Sequence, residues 1–307
     1  MNRARKITVL ILFGPTASGK TDFLQQQFCR EGEITAEVIS ADSMQVYQGM
    51  DIGTAKPSPE LQAKLPHHLI DIRKPSEQFN AGDFVRLADE AAADIHSRGR
   101  LPVVAGGTAF YLSNFIYGMS EAPPSNRQVQ EALREELAEK GPVLMLEELR
   151  QGDPVSAERI KANDTYRLLR AIEVLRSSGR PLSSYHWFGE AGAGLKMREQ
   201  YDFDIQTIER PRDEVYRRIN ERCRQMFQAG LEAEVNELFE KGYTPDDPGM
   251  KAIGYREFFE KVDGQWTMRK DIDAVEALIA QHSRQYAKRQ IVWFNRFNRE
   301  PRDACMR

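Results

Sequence analysis

The sequence predicts an α/β fold, in which a phosphate-loop parallel sheet carries helices on both faces and the chain is interrupted by an all-helical insertion. Three observations support this fold class. Short apolar runs alternate with helical patterns up to residue 117, no strand pattern occurs in 118–198, and a strand followed by helices returns after that. A β-α-β-α-β order is typical of parallel sheets with right-handed crossovers.

The first strand leads directly into a phosphate-binding loop. Ile7–Phe13 is a continuous apolar run, too short for an amphipathic helix, and it predicts a buried strand. The next segment fits G-x-x-x-x-G-K-[ST], a P-loop in which backbone N–H groups and a helix N-terminus face phosphate. Lys20 can reach the outer phosphates, and the Thr21 hydroxyl can hold Mg²⁺. The predicted phosphate ligands are Gly14, Pro15, Thr16, Ala17, Ser18, Gly19, Lys20 and Thr21.

The remaining elements of the first half follow in order. We predict a helix over 22–30, strands at 37–40 and 68–72, a helix over 82–98 and a strand at 101–105. The long helix has apolar residues at helical spacing and stops at Gly99. Because parallel sheets place their chemistry at the carboxyl ends of strands, Asp42 and Thr108 are well placed for function.

The pattern changes after Tyr117. A proline-containing break at 122–125 precedes predicted helices at 126–140, 143–151, 155–161 and 163–178, and a Gly/Ala linker at 189–194. We interpret 118–198 as a helical insertion domain, and 1–117 with 199–307 as the α/β core. The segment 201–208 predicts the last or edge strand, and further helices are predicted at 212–229, 231–241, 249–262 and 272–297.

Composition excludes several classes of protein. The net charge of −3 argues against binding nucleic acid through bulk positive charge, so such contacts must be local. Cys29, Cys223 and Cys305 are widely spaced, which suits a reducing cytoplasm and excludes a disulfide framework. Basic residues at 2–6 precede an apolar run that ends in the P-loop, so we reject a signal peptide. No apolar run is long enough for a membrane span, and we expect a cytoplasmic monomer.

Asp42 and Thr108 each allow two interpretations. Asp42 could hold Mg²⁺ through water, as strand-end aspartates do in many P-loop enzymes, or act as a general base. The residues alone do not separate these. Thr108 follows a Gly-Gly turn, where statistics favour a helix N-cap, but a functional hydroxyl would need the same exposed position.

Two basic groups could bind polyanions. Arg218 and Arg222 are four residues apart on one predicted helix face and suit a diphosphate, although salt bridges with neighbouring carboxylates are the alternative. The last helix interleaves basic and aromatic residues, which suits contacts to RNA backbone and stacking on bases. Its basic residues are Arg284, Lys288, Arg289, Arg296, Arg299 and Arg302, against Glu300, and its aromatic residues are Tyr286, Trp293, Phe294 and Phe297.

Together these motifs resemble the tRNA dimethylallyltransferases. The resemblance rests on the P-loop, 40–47 (SADSMQVY), 51–57 (DIGTAKP), 104–108 (VAGGT), 163–174 (ND…R…RAIEV), 252–256 (AIGYR) and 288–293 (KRQIVW). It runs from about residue 7 to residue 297. It implies transfer of a dimethylallyl group from dimethylallyl diphosphate to the N6 amine of the adenosine beside the anticodon, on its 3′ side, with Mg²⁺ as cofactor.

The resemblance also implies roles for individual residues. Asp42 matches the general base, Thr108 a hydroxyl that hydrogen-bonds near the acceptor amine, and Arg222 an arginine that assists the leaving group. Lys20 and Thr21 match the ligands of diphosphate and Mg²⁺. Segments that contact tRNA in the family match Asp42, Ser43, Met44, Gln45, Thr108, Tyr166, Arg167, Leu168, Leu169, Arg170, Lys251, Ala252, Ile253, Gly254, Tyr255, Arg256, Lys288, Arg289, Gln290 and Trp293. One departure is Gln130, where the family often has a basic residue.

Three other functions stay open on the residues alone. The same prenyl transfer to free AMP or ATP would need neither a helical insertion nor a basic aromatic last helix, and the chain has both. A P-loop nucleotide kinase would place Asp42 on Mg²⁺ and use the arginines as a lid. An RNA-binding NTPase switch is a third class, and the absence of an N-K-x-D motif weakens its GTPase form.

Overall fold

The structure is a computed structural model that describes residues 6–29, 33–185 and 196–297, with side chains at the C-terminal end described up to 295. The predicted linker at 189–194 and the basic residues Arg299 and Arg302 lie outside these residues, as do the basic residues at 2–5. The chain forms two compact units: a sheet unit of Met1–Gly118 with Lys196–Arg307, and a helical unit of Met119–Leu195.

The sheet unit is built on a five-stranded parallel sheet, as predicted. Its strands are β1 (Ile7–Phe13), β2 (Ala36–Ala41), β3 (His67–His68), β4 (Leu101–Gly106) and β5 (Tyr201–Thr207), in the order β3-β2-β4-β1-β5. The strand β1 pairs with β4 from Leu10↔Val103 onward, and with β5 from Ile7↔Tyr201 onward. The prediction that 201–208 forms an edge strand is confirmed, and its alternating burial fits one solvated face.

Helices cover both faces of this sheet. They are α1 (Lys20–Phe28), α2 (Pro59–Lys64), α3 (Ala81–Ser97) and α4 (Ala109–Tyr117). Leu10, Leu12 and Val103 share one face with Leu24 of α1 and Leu65 beyond α2. Helices α3 and α4 lie on the other, where the Phe84 ring stacks on Tyr111 at 4.7 Å and Phe115 meets Phe203 at 5.9 Å. A capping box between Asn80 and Asp83 fixes the start of α3.

One predicted strand is mostly wrong. The segment 68–72 keeps only His68 in β3, because Leu69 and Asp71 adopt positive φ angles of 63° and 56°. A left-handed backbone cannot continue an extended ladder. The chain turns there instead, and the Asp71 N–H donates to the Gln45 carbonyl beside β2 at 3.2 Å.

The C-terminal part of the sheet unit contains a further correction. The helical unit contains α5 (Arg127–Gly152), α6 (Pro154–Arg159) and α7 (Thr165–Ser178). The C-terminal elements of the sheet unit are α8 (Arg212–Gln228), α9 (Leu231–Glu240), β6 (Phe259–Val262), β7 (Gln265–Met268) and α10 (Ile272–Phe297). The predicted helix over 249–262 is wrong. That segment holds two short 3-10 turns, Gly249–Lys251 and Arg256–Phe258, and then β6 of an antiparallel hairpin.

The helical unit packs α5, α6 and α7 around a small apolar core. Gly141, with φ 77°, interrupts α5 ahead of Pro142 and divides it in two. Leu133, Leu149, Leu168 and Ile172 are nearly or fully buried in this core. The described residues of this unit contain no strand.

The two points where the sheet unit meets the insertion lie side by side. The Arg198 N–H donates to the Ile116 carbonyl at 2.9 Å, and its guanidinium contacts Asp89 at 2.6 Å. The same guanidinium lies over the rings of Phe115 and Tyr201, at 5.6 and 5.2 Å. This cluster therefore closes the sheet unit where the chain leaves and returns.

Candidate active site

The candidate site lies at the carboxyl end of the sheet. The P-loop follows β1, Asp42 follows β2, Thr108 follows β4, and the arginines of α8 follow β5. Because the strands are parallel, these four segments meet at one edge, where α/β folds bind ligands.

The P-loop wraps around the ammonium group of Lys20. Its Nζ donates to the Gly14 and Pro15 carbonyls at 2.8 and 3.0 Å. Ala17 and Gly19 take positive φ angles of 60° and 95°, which gives the loop its curl. Burial lowers the pKa of Lys20 to about 8; the Asp42 carboxylate opposes this shift and Arg222 adds to it. A phosphate group bound here would supply the negative charge that Lys20 lacks.

Two arginines hold the outside of the same loop. Arg218 Nε donates to the Ala17 carbonyl at 2.7 Å, and Arg210 Nε donates to the Ser18 carbonyl at 2.5 Å. Arg218 therefore positions the loop as well as lining the cavity beside it. Arg210 was not singled out from the sequence, and only its place next to a strand end could have indicated it.

Arg222 differs from these neighbours. In the part of the chain that the structure describes, no hydrogen bond or ion pair holds its guanidinium, although Asp42 lies near enough to affect it electrostatically. Burial lowers the pKa of Arg222. A desolvated guanidinium without a fixed partner is an anion site, because burying it unpaired is costly.

Asp42 is held by the chain that follows it. Its Oδ1 accepts hydrogen bonds from Met44 N at 2.9 Å and from Gln45 N at 3.4 Å. These bonds fix the carboxylate at the end of β2 and engage one oxygen. The other oxygen, Oδ2, is the one left to receive a proton from a ligand.

Thr108 is not a side-chain N-cap. It stands at the N-cap position of α4, but its side chain makes no capping hydrogen bond. Its Oγ1 instead accepts from Ser43 N at 3.1 Å. The predicted N-cap position is therefore confirmed, but the hydroxyl does not cap the helix and instead ties the turn after β4 to the Asp42 segment.

Gln290 and Gln45 were predicted to contact tRNA, and the structure uses both amides internally. Gln290 is 4% exposed. Its Oε1 accepts from Thr16 N at 2.9 Å, and its Nε2 donates to the Gly107 carbonyl at 2.7 Å. Gln45 accepts from Ser40 Oγ at 2.9 Å and donates to the carbonyls of residues 54 and 55. Both side chains position loops of the site.

Two adjoining cavities open between these residues. The phosphate cavity, of about 530 Å³, is lined by the P-loop from Thr16 to Asp22, with Arg217, Arg218 and Gln225. The apolar cavity, of about 260 Å³, is lined by Met44, Ile219, Cys223, Met226, Ala252, Ile253 and Ile279, and its lining also includes the polar residues Ser43, Lys251 and Arg289. Both are also lined by Thr16, Asp42, Thr54, Arg222 and Tyr286.

Tyr286 was predicted only as one of the aromatic residues of the last helix, and its place in the site was not predicted. It lines both cavities, and the Thr108 and Gln290 side chains act on its hydroxyl in the direction that lowers its pKa. Burial raises the pKa of Tyr286 to about 12, and the Asp42 charge acts in the same direction. The available signal was the i,i+4 spacing of Tyr286 and Gln290, which places them on one face of α10.

The 251–256 segment is divided between cavity and core. Lys251, Ala252 and Ile253 line the apolar cavity, and Arg256 is exposed. Tyr255 is fully buried, and its Oη donates to Glu234 Oε1 at 2.6 Å. As a correction, the Tyr255 side chain supports the fold and does not face a tRNA.

The predicted contacts of α7 need a similar correction. Tyr166 is 81% exposed, and Arg167 is exposed in an ion pair with Asp164 at 2.8 Å. Leu168 and Leu169 are core residues of the helical unit, and Arg170 pairs with the buried Glu173 at 2.6 Å. The Leu168 and Leu169 side chains therefore pack in the core and the Arg170 side chain forms an internal ion pair, while contacts of Tyr166 and Arg167 with tRNA stay a prediction.

Gln130 belongs to the network around Glu173. Its Nε2 donates to Glu173 Oε2 at 2.7 Å, while the N–H of Asn126 and the hydroxyl of Ser125 reach the same carboxylate. These bonds and Arg170 lower the pKa of Glu173 against the opposing effect of burial. The Gln130 amide thus donates to the carboxylate of Glu173, which explains how the chain accommodates Gln130 where the family often has a basic residue.

The exposed side of α10 keeps its predicted basic character. Lys288 and Arg289 are exposed, and the Arg289 guanidinium lies 5.7 Å from the Tyr286 ring centre. Trp293 is half-buried, with its ring 5.5 Å from that of Phe13. The aromatic residues therefore divide between packing on β1 and lining the site.

The P-loop residues fit a diphosphate with Mg²⁺. Ser18 Oγ is fully buried in the loop and has no hydrogen-bond partner among the described residues, and a Cβ added at Gly14 would lie 2.5 Å from it. The described residues hold no cluster of three His, Cys, Asp or Glu side chains suited to a metal. Among the P-loop residues, Thr21 offers an exposed hydroxyl, whereas Ser18 is buried and Thr16 is partly buried. Mg²⁺ is commonly held by one protein ligand, substrate phosphates and water.

Among the described helices, none combines the length and apolarity that crossing a membrane requires.

Comparisons with known proteins place these features in context. A family model described as IPP transferase matches residues 45–297. The chain is 42% identical over 302 residues to tRNA dimethylallyltransferase 2 of Geotalea daltonii, covering 96% of this chain and 87% of the relative. It is 39% identical to tRNA dimethylallyltransferase of Thermotoga neapolitana, over 94% of this chain and 89% of the relative.

Solved structures agree with the sequence comparisons. A tRNA isopentenylpyrophosphate transferase from Bacillus halodurans superimposes with a TM-score of 0.61 at 35% identity, covering 94% of this chain and 87% of that one. A eukaryotic dimethylallyltransferase acting on tRNA gives a TM-score of 0.73 at 26% identity, covering 94% and 69%.

Proposed function

The chain belongs to the IPP transferase family, and from this we propose that it transfers a dimethylallyl group from dimethylallyl diphosphate to the N6 amine of the adenosine on the 3′ side of the anticodon in tRNA. The proposal rests on one observation. The Arg222 guanidinium, which no described residue hydrogen-bonds, and the Asp42 carboxylate, which backbone N–H groups hold in place, line the same two cavities. Arg222 would stabilise negative charge on the leaving group, and Asp42 would accept a proton.

The diphosphate end of the donor would lie in the phosphate cavity. Lys20 and the loop amides would hold the outer phosphate, and Ser18 Oγ is an unused hydrogen-bonding group there. Arg222 would neutralise charge as the allylic carbon–oxygen bond breaks. Mg²⁺ would be held by Thr21 and the donor's own phosphate oxygens, and when bound it supplies further charge neutralisation.

The acceptor end needs a base. As the bond from N6 to the allylic carbon forms and diphosphate leaves, Asp42 Oδ2 would take the N6 proton. Thr108 would hydrogen-bond close to that amine, since its hydroxyl lies against the Ser43 segment. The dimethylallyl chain would occupy the apolar cavity, whose aliphatic wall keeps water from the reactive allylic carbon.

The tRNA would bind as a structured anticodon stem-loop with a flipped adenine. Lys251 and Arg289 are exposed basic groups that line the apolar cavity, and Lys288 is exposed beside Arg289 on α10. Tyr166 and Arg167 are exposed on the helical unit. We propose that the enzyme acts as a monomer in the cytoplasm, where tRNA is available and free thiols such as Cys223 stay reduced.

The test is incubation of purified enzyme with tRNA and labelled dimethylallyl diphosphate, with and without Mg²⁺. We expect label on the adenosine next to the anticodon, dependent on Mg²⁺. AMP as acceptor and ATP as donor are the controls. Label on AMP but not on tRNA would support the free-nucleotide transferase, and ATP turnover without prenyl transfer would support a nucleotide kinase.

A further inference from the structure

Glu234 on α9 is hydrogen-bonded to the 51–54 loop, which lies far from it in sequence. Its Oε2 accepts from the N–H groups of Asp51 and Ile52 at 2.9 and 2.8 Å. Its Oε1 accepts from Gly53 N at 3.2 Å. Three consecutive backbone N–H groups therefore converge on one carboxylate. Such a concavity binds anions, and here a side chain of the protein occupies it.

The same carboxylate also binds the 252–255 loop. Tyr255 Oη donates to Glu234 Oε1 at 2.6 Å, and the phenol stays a donor because burial and the Glu234 charge both raise its pKa. The Tyr255 ring is fully buried against Gly53, where an added Cβ would lie 2.4 Å from Tyr255 Cε2. Glycine at position 53 is therefore required for the close approach of the two loops that Glu234 joins.

Both loops line the candidate site. Gly53 and Thr54 line the apolar cavity, and Thr54 also lines the phosphate cavity. Ala252 and Ile253 of the second loop line the apolar cavity. Glu234 is absent from the described residues that line these cavities, so it can act on a ligand only through the loops.

The 51–54 loop is held separately on its other side. Gln45 Nε2 donates to the carbonyls of residues 54 and 55 at 3.3 and 3.2 Å. Both of these residues line the phosphate cavity, whereas Gly53 lines the apolar cavity. Gln45 therefore fixes the part of the loop beside the phosphate cavity, and Glu234 fixes the part beside the apolar cavity.

We infer that Glu234 is a positioning residue for prenyl transfer, which fixes the wall of the apolar cavity by joining the 51–54 and 252–255 loops. Hydrogen bonds to an ionised carboxylate are stronger than neutral ones, so this wall is held firmly. In the proposed function, on which the inference rests, the wall faces the dimethylallyl chain. Because a displacement of about 1 Å can cost about 10²-fold in rate, a loose wall should slow the chemical step more than it weakens diphosphate binding.

The test compares Glu234→Gln with Glu234→Ala. The amide keeps one accepting oxygen for the donors that the carboxylate serves, and alanine keeps none. We expect kcat for prenyl transfer to fall about 3- to 10-fold with glutamine and about 10- to 100-fold with alanine. Glu237→Gln is the matched control, since it removes the same charge from an exposed pair with Lys241 on the same helix and should match wild type.

Inorganic pyrophosphate separates positioning from general destabilisation. Its inhibition constant should stay within about twofold of wild type in both Glu234 variants, because it binds to the P-loop and the arginines of α8. A general loss of folded enzyme would instead reduce pyrophosphate binding and prenyl transfer together. That parallel loss, or a Glu234→Ala variant with the kcat of wild type, would overturn the inference.

Tyr255→Phe gives a second measurement, which keeps the buried ring and does not depend on Glu234→Ala being folded. We expect it to lower kcat about 3- to 10-fold, the range of one hydrogen bond to a charged group. In the Glu234→Ala background the same change should cost little, since the carboxylate is already absent. Additive losses, or full activity of Tyr255→Phe, would contradict the inference. Wild-type enzyme that prenylates no tRNA would instead overturn the proposed function.

Discussion

Gln290 and Gly107 are joined across 183 positions of sequence by a hydrogen bond of 2.7 Å from Nε2 to the backbone carbonyl. The same amide accepts from Thr16 N, so one side chain ties the P-loop to the turn that carries Thr108. The site is therefore held together from α10, the helix that also presents Lys288 and Arg289.

Removing this amide should loosen both loops. We expect Gln290→Ala to lower kcat/KM for dimethylallyl diphosphate by about 10- to 100-fold, because two buried backbone groups lose their partners. Steady-state kinetics with varied donor concentration measure this. Gln281→Ala, at an exposed position of the same helix, is the control and should match wild type. Equal activity of the two variants would show that the clamp is dispensable.

Asp42→Asn tests the base without disturbing the turn. Asparagine keeps an oxygen that can accept from Met44 N, whereas it cannot take up a proton at neutral pH. We expect prenyl transfer to fall by about 10²- to 10⁴-fold while the tRNA Kd stays near wild type. Single-turnover rates and a binding titration measure the two quantities. A parallel loss of tRNA affinity would indicate a binding role for Asp42.

Lys288→Ala with Arg289→Ala should weaken tRNA binding and reduce the slope of log K against log salt by up to about 2, because two phosphate contacts would be lost. Binding titrations at several salt concentrations measure this slope. The control is Arg86→Ala with Lys241→Ala, which removes the same charge from exposed ion pairs on α3 and α9. An unaltered slope in the first variant would remove α10 from the RNA interface.

Glu37 should control stability in acid. Burial acts to raise its pKa, but hydrogen bonds from Arg98, His68 and Arg100 outweigh that and lower the pKa to about 2. A carboxylate with a lowered folded-state pKa contributes stability above its ordinary value near 4.5, and this contribution is lost as pH falls from there toward 2.

The corresponding variant is Glu37→Gln. We expect it to lower the free energy of unfolding by about 2 kcal/mol at pH 7, since the charge-assisted hydrogen bonds from the partly exposed Arg98 and Arg100 to the buried carboxylate are lost, and to flatten the acid limb. Urea unfolding at pH 3 to 7 measures both effects. Glu90→Gln, in an exposed pair with Arg86, should change stability by less than about 1 kcal/mol at every pH.

Sequence patterns predicted the parallel sheet and the segments that meet at its carboxyl edge, because buried strands and glycine loops leave local signals. The β6–β7 hairpin also had a signal that was missed. Asp263-Gly264 is a two-residue hairpin turn, and both residues take positive φ, 50° and 81°. The prediction of a helix over 249–262 overlooked this turn signal, which ends the extended segment of β6.

The side chains that position the loops of the site could not be predicted from local sequence patterns. Gln290 and Gln45 look like exposed polar residues of an RNA-contacting motif, and only long-range folding brings their amides onto backbone groups. Leu168 and Leu169 likewise sit inside a motif that matches tRNA-contacting segments, yet their side chains face the helical core. A matched motif therefore marks a segment and leaves the task of each side chain to the structure.

The hydrogen bond between Arg198 and Ile116 bears on whether the inserted helical unit can be deleted. Since Ile116 and Arg198, each two residues from the ends that the cut would leave, are joined at 2.9 Å, a few glycines could replace residues 119–195 without stretching the sheet unit. Such a miniature would retain the donor pocket while lacking Tyr166 and Arg167. The prenyl-transfer rate of this shortened enzyme on a short anticodon hairpin would then show how much the helical unit contributes to the selection of tRNA.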